Sequence, residues 1–340
     1  MKHHVVIGGA GFVGAHVVNL LLVDPENRIT IIDNFLSSEK SSVPKSNRVQ
    51  LIEGSASETE VLNKIEGPVD FFYQLACFHG NQSSISRPLD DFENGLKTTL
   101  VCLDWFSKFH PLSRFVYSGA GCAVAEKTWD SPIPVAENDF TSLQHDSPYS
   151  ISKITGEMYC LYFWTQLKLD VIRVRFQNAY GPGEILGAGE WRGNVNTIWR
   201  NAIPTIIWKA LNSQEIEVFG EGLATRDFIY VKDLARGVID AANMGVAGEV
   251  YNLATEKETR IIDLVNIIVR ETSSKSEIII KPRRAWDNSG RRFGSKAKSL
   301  AELGFEAKVE IEEGLRATIE WTENNRDMIE KAIRKHADRI

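Results

Sequence analysis

The chain has 340 residues, of which 43% are hydrophobic and 25% are charged, and its formal net charge is −6. This composition is typical of a globular protein with a sizeable core, and the lack of a basic stripe in the sequence excludes nucleic acid as a partner. The apolar runs are far shorter than the roughly 20 residues that cross a membrane, and the cysteines show no CxxC spacing, so we expect a cytoplasmic protein with reduced thiols.

Strand-like apolar runs alternate with helix-length segments through the first half of the chain. The predicted strands are, in chain order, Val5–Ile7, Ile29–Ile32, Val49–Ile52, Phe71–Leu75, Phe115–Tyr117 and Val171–Val174. Such alternation is typical of parallel strands with helices on both faces. The predicted fold class is therefore α/β, a Rossmann-type doubly wound parallel sheet with a smaller α/β C-terminal substrate lobe.

A glycine-rich turn joins the first predicted strand to an amphipathic helix that reaches about Leu22. Gly8, Gly11 and Gly14 are spaced three residues apart in this turn. Glycines at this spacing let the backbone turn tightly and approach a pyrophosphate at the helix N-terminus, where free N–H groups favour an anion. The pattern predicts a dinucleotide site.

The second predicted strand ends at Asp33, about 20 residues after the turn, where a carboxylate can accept hydrogen bonds from both hydroxyls of a ribose. A carboxylate at this point would repel a 2′-phosphate. Asp33 therefore favours NAD(H) over NADP(H), and NAD is the predicted cofactor.

The strand and helix pattern loosens after about Tyr180, and only short elements are indicated beyond it, near Ile216–Phe219 and Val250–Leu253. We expect residues 1–180 to form an NAD-binding Rossmann domain, with later elements around 221–255 interleaved with it. Residues 181–340 would then form mainly a substrate-binding lobe. His3 and His4 precede the first predicted strand without evident partners and indicate no metal site.

Tyr149 and Lys153 lie four residues apart at the start of a predicted helix, and hence on one of its faces. A phenol with an ordinary pKa of about 10 is a poor base at neutral pH, but a neighbouring ammonium group and an oxidised nicotinamide both stabilise a phenolate. We expect Tyr149 to move a hydroxyl proton while a hydride passes between a substrate carbon and the nicotinamide. Lys153 would tune Tyr149 and bind the nicotinamide ribose.

These motifs together resemble one family over almost the whole chain. The shared features are the GGAGFVG turn, the Asp33-Asn34 pair, the Tyr149/Lys153 pair, and the segments Asn178 to Pro182 and Arg226 to Ile229. The chain thus resembles the extended short-chain dehydrogenases/reductases that act as NAD-dependent epimerases and dehydratases. The resemblance implies a nucleotide-diphosphate sugar as the substrate. It also implies further cofactor contacts, at Phe12, Val13, Asn34, Leu75 and Ala76.

On the substrate side, the resemblance assigns Asn178 to the phosphates and the stretch Asn201 to Pro204 to the nucleotide base. Arg226 and Arg284 resemble the pair that clamps the diphosphate. That role suits arginine, because the planar fork of a guanidinium matches phosphate oxygens.

Family members usually carry a Ser or Thr after the strand that precedes the catalytic helix, and its hydroxyl bonds the reacting oxygen. Ala120 stands at that point here. Ser118 lies two residues earlier on the same strand face, roughly 6.6 Å back along an extended chain. Either Ser118 or a bent Gly119–Gly121 loop takes this role, or the hydroxyl is missing and Tyr149 works with a backbone group or water.

The loop after this strand also bears on the reaction. Dehydratases and decarboxylases that resemble the chain place an acid there, whereas this loop reads Ala-Gly-Cys. Dehydration is therefore disfavoured, and the simplest remaining reaction is 4-epimerisation of a UDP-hexose or UDP-hexuronate through a transient 4-keto sugar. That reaction needs only Tyr149, Lys153 and a tightly bound NAD.

Other activities stay open. Cys122 falls where 3,5-epimerising members hold a cysteine that moves protons, and Glu190 or His79 would then supply the second proton carrier. The chain could also be a 4,6-dehydratase or decarboxylase, or a simple dehydrogenase that releases NADH. A non-catalytic NAD-sensing protein is a further alternative, since a fold alone does not fix a function.

The loop Ile185–Trp199 is expected to close over the sugar. Within it, Arg192 could bind a C6 carboxylate of a uronic acid, or serve only as a surface charge. Two predicted long helices, Leu89–Phe109 and Tyr149–Leu167, have apolar faces, and in the family such a pair forms a four-helix dimer interface. We therefore expect a homodimer.

Overall fold

The computed structural model describes residues 1–78, 80–121, 132–139, 143–190, 198–199, 201–284 and 290–337. Its strands, in chain order, are β1 (Lys2–Ile7), β2 (Asn27–Asp33), β3 (Val49–Glu53), β4 (Phe71–Gln74), β5 (Arg114–Ala120), β6 (Asp170–Phe176), β7 (Asn178–Tyr180), β8 (Ile216–Phe219), β9 (Thr225–Arg226), β10 (Phe228–Tyr230), β11 (Val250–Leu253), β12 (Thr259–Arg260) and β13 (Ile278–Lys281).

Seven of these strands form one sheet, in the order β11-β6-β5-β4-β1-β2-β3, and every neighbouring pair is parallel. Along β1, Val6 faces one buried layer while Val5 and Ile7 face the other, because side chains alternate across a strand. Both faces of the sheet are thus buried, as its continuous apolar runs predicted. The structure confirms the predicted α/β fold class and its Rossmann-type sheet.

Helices cover both faces of this sheet, α1 and α8 on one side and α5 and α6 on the other. The helices, in chain order, are α1 (Phe12–Leu21), α2 (Thr59–Leu62), α3 (Asn81–Ser86), α4 (Pro88–Asp91), α5 (Thr98–Phe109), α6 (Pro148–Leu167), α7 (Ala202–Leu211), α8 (Val231–Met244), α9 (Ile261–Glu271), α10 (Ala297–Leu303), α11 (Ile311–Asn324) and α12 (Arg326–Arg334), with short 3-10 turns at Lys40–Ser42 and Gly220–Gly222.

A π-helical turn, Phe92–Lys97, joins α4 to α5, so the single helix predicted over Leu89–Phe109 is interrupted. The Thr98 hydroxyl donates a hydrogen bond to the carbonyl of Glu93, five residues earlier, at 3.0 Å. This bond fits the wider repeat of a π turn, a feature that sequence periodicity does not reveal.

Within the described residues, three two-stranded pairs lie outside the main sheet: β7 with β10, β9 with β12, and β8 with β13. The last pair and the helices α7, α9 and α11 enclose a further core that includes Ile207, Ile216 and Leu264. β11, by contrast, lies at the edge of the main sheet beside β6. The domain boundary near residue 180 stays a prediction.

His3 and His4 lie inside β1 rather than before it, and both have partners, which corrects the expectation from the sequence. His3 Nε2 lies 2.8 Å from Thr30 Oγ1, and the His4 ring stacks on Phe71 with centroids 5.1 Å apart. Burial lowers the pKa of His4 to about 4, so this ring stays neutral and packs as an aromatic side chain. Within the described ranges, no group of His, Cys, Asp and Glu side chains could hold a metal ion. None of the helices there is long and apolar enough to span a membrane.

Candidate functional site

The glycine-rich turn connects β1 to α1 with very little space between them. Gly8 has a φ of +77°, and its N–H donates to the carbonyl of Ile32 at 2.8 Å. A Cβ on Gly14 would collide with the carbonyl oxygen of Gly8 and would lie 2.9 Å from Gly9 Cα. Glycine therefore lets α1 begin this close to the strand, which leaves the N–H groups of its first turn available to a phosphate.

The loop after β4 forms the other wall of this turn. Ala76 Cα lies only 2.9 Å from the point that a Cβ on Gly8 would occupy. The Leu75 N–H donates to the carbonyl of Ile7 at 3.1 Å, and the Ala76 N–H donates to Gln74 Oε1 at 3.0 Å. Gln74 thus shapes the predicted cofactor loop, although the sequence did not single it out. Its only signal was a polar residue at the end of an apolar strand.

Phe12 and Val13 lie in the first turn of α1. The Phe12 ring meets the His16 ring edge-on with centroids 6.0 Å apart, and Val13 packs against the core beneath the helix. His16 Nε2 lies 2.8 Å from the carbonyl oxygen of Pro182, so α1 is tied to the loop that follows β7.

Asp33 ends β2 beside the glycine-rich turn. Its Oδ2 accepts from the Ala10 N–H at 3.0 Å, and its Oδ1 accepts from the Phe35 N–H at 2.9 Å and the Ser38 hydroxyl at 2.8 Å. Ser38 was not predicted from the sequence, and the predicted Asn34 is exposed next to this carboxylate. Oδ2 keeps further capacity to accept a hydrogen bond. The glycine cradle and this carboxylate are the parts that an NAD pyrophosphate and ribose need, so these residues fit the cofactor.

Tyr149 and Lys153 lie in the first turns of α6. Ser147 caps this helix through its hydroxyl, and Pro148 follows at the first helical position, which explains why the helix begins here. Lys153 is buried, and its Nζ donates to the carbonyl oxygen of Ser118 at 2.7 Å. The same Nζ lies 5.9 Å from the centre of the Tyr149 ring. The structure thus brings the predicted pair together and anchors the ammonium group on β5.

Ser118 supports Lys153 from inside the sheet. Its hydroxyl donates to the carbonyl of Gln74 at 3.1 Å and lies 3.2 Å from Lys153 Nζ. The side chain is buried, because β5 continues for two residues beyond it to Ala120. The Ser118 hydroxyl is thus engaged with a carbonyl of β4 and with Lys153, and its catalytic role stays a prediction.

Cys122, His79 and Arg192 lie outside the described residues, so their roles stay as predicted from the sequence. Gly121, just before Cys122, is in close contact with the side-chain amide of Gln177, which a Cβ on this glycine would overlap. Glu190 is exposed.

The two predicted substrate asparagines lie on separate elements. Asn178 begins β7, and its N–H donates to the carbonyl of Asp227 at 2.9 Å. Asn201 immediately precedes α7, and its Nδ2 donates to Glu184 Oε1. The two asparagines therefore have different partners in the protein.

The two predicted phosphate arginines also approach from different strand pairs. Arg226 lies on β9, and its Nη1 donates to the carbonyls of Thr225 at 2.6 Å and Gly290 at 3.3 Å. Arg284 follows β13, and its guanidinium stacks 3.9 Å from the centre of the Phe219 ring.

A third arginine, Arg292, lies next to Thr225, the residue before Arg226, and was missed in the sequence. It is only 8% exposed, and its main-chain N–H donates to Thr225 Oγ1 at 3.3 Å. Its Nε has no hydrogen-bond partner among the described residues. A buried N–H without a hydrogen-bond partner is costly, so Arg292 is a candidate contact for an anionic ligand. The Arg291-Arg292 pair was the only available sequence signal.

The chain is similar to several known proteins over nearly its whole length. It is 45% identical to the Bordetella bronchiseptica enzyme WbmF, crystallised with NAD+ and UDP, at a TM-score of 0.88 over 99% of this chain and 97% of that one. It is 28% identical to a putative UDP-glucose 4-epimerase of Methanocaldococcus jannaschii over 94% of this chain and 98% of that protein. The UDP-glucose 4-epimerase of Thermotoga maritima, solved with UDP-glucose, shares 26% identity and a TM-score of 0.85 over 96% of this chain and 100% of that one.

The sequence profile of the NAD dependent epimerase/dehydratase family matches residues 4–254. The matched stretch is well over half of the chain and contains the glycine-rich turn, Asp33 and the Tyr149/Lys153 pair. It confirms the family resemblance and NAD as the cofactor. The protein therefore belongs to the NAD dependent epimerase/dehydratase family of enzymes.

Proposed function

We propose that the protein is a 4-epimerase of a UDP-hexose or UDP-hexuronate that keeps its NAD bound through each turnover. The observation that carries this proposal is the Tyr149/Lys153 pair, with Lys153 Nζ anchored 2.7 Å from the carbonyl oxygen of Ser118. Two similar proteins are named as UDP-glucose 4-epimerases, one of them putatively, and a third was crystallised with UDP. These similarities support UDP as the nucleotide and epimerisation as the reaction.

When bound, NAD supplies a reversible hydride acceptor for C4 of the sugar. Tyr149, as a phenolate, takes the proton of the C4 hydroxyl during oxidation and returns it during reduction, after the 4-keto sugar has turned over in the site. The buried ammonium group of Lys153 lies 5.9 Å from the Tyr149 ring centre, where its charge favours the phenolate. One proton carrier is enough for this reaction, which is why the missing hydroxyl at Ala120 does not exclude it.

Three arginines are the proposed contacts for the negative charges of the substrate. Main-chain carbonyls hold Arg226 and the Phe219 ring holds Arg284, and both contacts orient a guanidinium group. Arg292 lies next to Thr225, the residue before Arg226, and its buried Nε has no hydrogen-bond partner in the described part of the chain. A diphosphate, or the carboxylate of a hexuronate, would accept hydrogen bonds from these guanidinium groups.

The experiment that tests this proposal is incubation of the purified protein in D2O, without added cofactor, with UDP-glucose, UDP-galactose, UDP-glucuronic acid and GDP- and dTDP-sugars. Proton NMR follows each sugar. We expect a C4 epimer with no deuterium incorporated, because the hydride leaves C4 and returns to it. The Tyr149→Phe variant, purified in the same way, is the control for a contaminating epimerase.

Each other outcome would point to a different activity. Deuterium at C3 or C5 would contradict the 4-epimerase and favour a 3,5-epimerase that uses Cys122. Loss of water from the sugar would indicate a 4,6-dehydratase. Absence of any change across the whole panel would favour the non-catalytic NAD-binding alternative.

We also propose that the protein is a homodimer. The helical run from α4 to α5 and helix α6 expose large apolar side chains, each at least half exposed: Leu89, Phe92, Ile151, Met158 and Tyr162. On α6 their spacing of seven and four residues places them on one face, as expected for a helix that packs against a partner. Light scattering at micromolar concentration should give the dimer mass, and Met158→Glu should lower it. A monomeric wild-type mass would contradict the proposal.

A further inference from the structure

A small cavity lies beside the Tyr149/Lys153 pair, between α6 and the π-helical turn. Its lining includes Tyr149, Lys153, Ser152, Tyr117 and Asp91. Asp91 is the acidic residue of this lining, and it is only 1% exposed. A buried carboxyl group therefore lines the same small cavity as the proposed acid–base pair.

One oxygen of Asp91 has a partner and the other has none. Oδ2 accepts a hydrogen bond from the hydroxyl of Ser152, the residue before Lys153, at 2.6 Å. Oδ1 is buried and has no hydrogen-bond partner among the described residues. Burial raises the pKa of Asp91, while the Ser152 hydrogen bond and the charge of Lys153 oppose that rise.

The backbone around Asp91 brings this carboxyl group close to α6. Asp91 ends α4, and the π-helical turn Phe92–Lys97 follows directly. Gly95 in that turn lies against α6, since a Cβ on it would stand only 3.7 Å from Ser152 Cβ. π turns occur often at functional sites, where they redirect side chains that a regular helix would place elsewhere.

We propose that Asp91 is a positioning residue for the Tyr149/Lys153 pair: its carboxylate partly balances the Lys153 ammonium group and so sets the pH at which Tyr149 becomes a phenolate. The inference deepens the proposed function and rests on it. An epimerase of this kind needs a tyrosine that both takes and returns a proton, and an unopposed ammonium group would hold the phenolate too strongly for the return step. Asp91 acts here through charge rather than through contact with the substrate.

Among the described groups that line the cavity, Lys153 is the cation that Asp91 faces. Tyr149 comes from α6, Tyr117 from β5 and Cys77 from the loop after β4. Burial raises the pKa of Tyr117 well above its ordinary value, so this phenol stays neutral. On the helical run of Asp91 itself, neighbouring charges pair with one another: Arg87 with Asp90, and Lys97 with Glu93.

The test is a titration of Tyr149 in the NAD-bound enzyme without substrate. Tyrosines labelled with 13C at Cζ report the phenolate by NMR, and the Tyr149 signal is the one lost in Tyr149→Phe. Asp91→Asn keeps the shape but removes the charge, and it should lower the Tyr149 midpoint by roughly one pH unit. Ser152→Ala removes a hydrogen bond that stabilises the carboxylate, so it should lower the midpoint by less.

Asp90→Asn is the matched control, because Asp90 is adjacent in sequence but pairs with Arg87. It should leave the midpoint unchanged. Wild-type midpoints in both Asp91→Asn and Ser152→Ala, with unchanged melting temperatures, would overturn the proposal. If Asp91→Asn does not fold, Ser152→Ala decides alone: a lowered midpoint supports the proposal and an unchanged one overturns it. Because no turnover is needed, failure of the 4-epimerase assignment would not produce either result.

Discussion

The residues predicted to bind the cofactor (the cofactor side) and those proposed to bind the substrate (the substrate side) hold their polar groups by different means. On the cofactor side, Asp33 accepts from three donors of the protein and Lys153 donates to Ser118. On the substrate side, Arg292 is buried and its Nε has no partner in the described residues. Asp33 and Lys153 therefore have protein partners, whereas the Arg292 Nε has none in the described residues and is left, in our proposal, to an anionic ligand.

The difference follows from the scaffold on which each side is built. The carboxyl ends of β1, β2, β4 and β5 lie in one sheet with a buried layer on each face, which fixes neighbouring loops relative to each other. Arg226 and Arg284 stand instead on or next to two-stranded pairs that lie outside this sheet. The predicted cofactor residues therefore share one sheet, whereas the proposed phosphate arginines lie on separate strand pairs.

The largest expected effect is a loss of turnover when the proposed proton carrier is removed. Tyr149→Phe removes the proposed proton carrier and should lower turnover by about 10²–10⁴-fold, since general acid–base catalysis contributes that much. Tyr162→Phe removes the same hydroxyl from an exposed residue of the same helix and should change turnover little. Steady-state rates of both variants check this prediction. Equal rates in wild type and Tyr149→Phe would contradict it.

Substitutions of two separate buried arginines, Arg175 and Arg292, compare a structural role with a proposed binding role. Arg175 makes a two-pronged ion pair with Glu157, at 3.0 and 2.9 Å, so Arg175→Met should cost about 3–5 kcal/mol of unfolding free energy. Arg292→Met should change that free energy by less than about 1 kcal/mol, because it removes a charge whose Nε has no protein partner. It should instead weaken UDP binding about 10- to 100-fold.

Urea denaturation and UDP calorimetry on both variants separate these two roles. A large loss of stability in Arg292→Met with unchanged UDP binding would show that this arginine is structural. Such a result would remove the contrast between the two sides.

The stability of the main sheet should also decrease in acid, because of His4. Burial lowers the pKa of His4 from 6.5 to about 4, so between these values the unfolded chain binds a proton that the folded chain does not. Stability from this group is present above about pH 6.5 and is lost as the pH falls towards 4. His4→Phe keeps the stacking on Phe71 and should reduce the loss by up to about 3 kcal/mol. Chemical denaturation at pH 7 and pH 4.5 measures it, and equal losses in wild type and variant would refute it.

A smaller effect tests the proposed contact of Asp33 with the ribose of NAD. Asp33→Ala removes the proposed ribose acceptor and should weaken NAD binding by about 10- to 100-fold, as expected for hydrogen bonds to a charged group. NADP binding should be affected less, because a repulsive charge is removed as well. Ser38→Ala keeps the carboxylate and deletes one of its donors, so it should weaken NAD binding only slightly. Fluorescence titration with both cofactors measures these constants, and parallel losses for NAD and NADP would contradict the selective role of Asp33.

Much of the fold and of the cofactor site could be predicted, because the signals are local in sequence. The glycine triplet needs only its own spacing, and Tyr149 and Lys153 share a helix face by virtue of four residues of separation. The capping serine Ser147 and Pro148 also lie beside the helix that they start. Such features can be predicted without knowledge of the rest of the chain.

The remaining features depend on partners that are distant in sequence. The direction of the Ser118 hydroxyl is set by Lys153, 35 residues away, and the place of Asp91 in the cavity by Ser152, 61 residues away. The main chain of Arg292 is held by Thr225, 67 residues away. The sequence by itself determined the sheet, the cofactor and the shared helix face of Tyr149 and Lys153, since these follow from periodicity and short spacing. Only the tertiary structure decided which polar groups around the pair are satisfied, because that depends on which strands and helices meet.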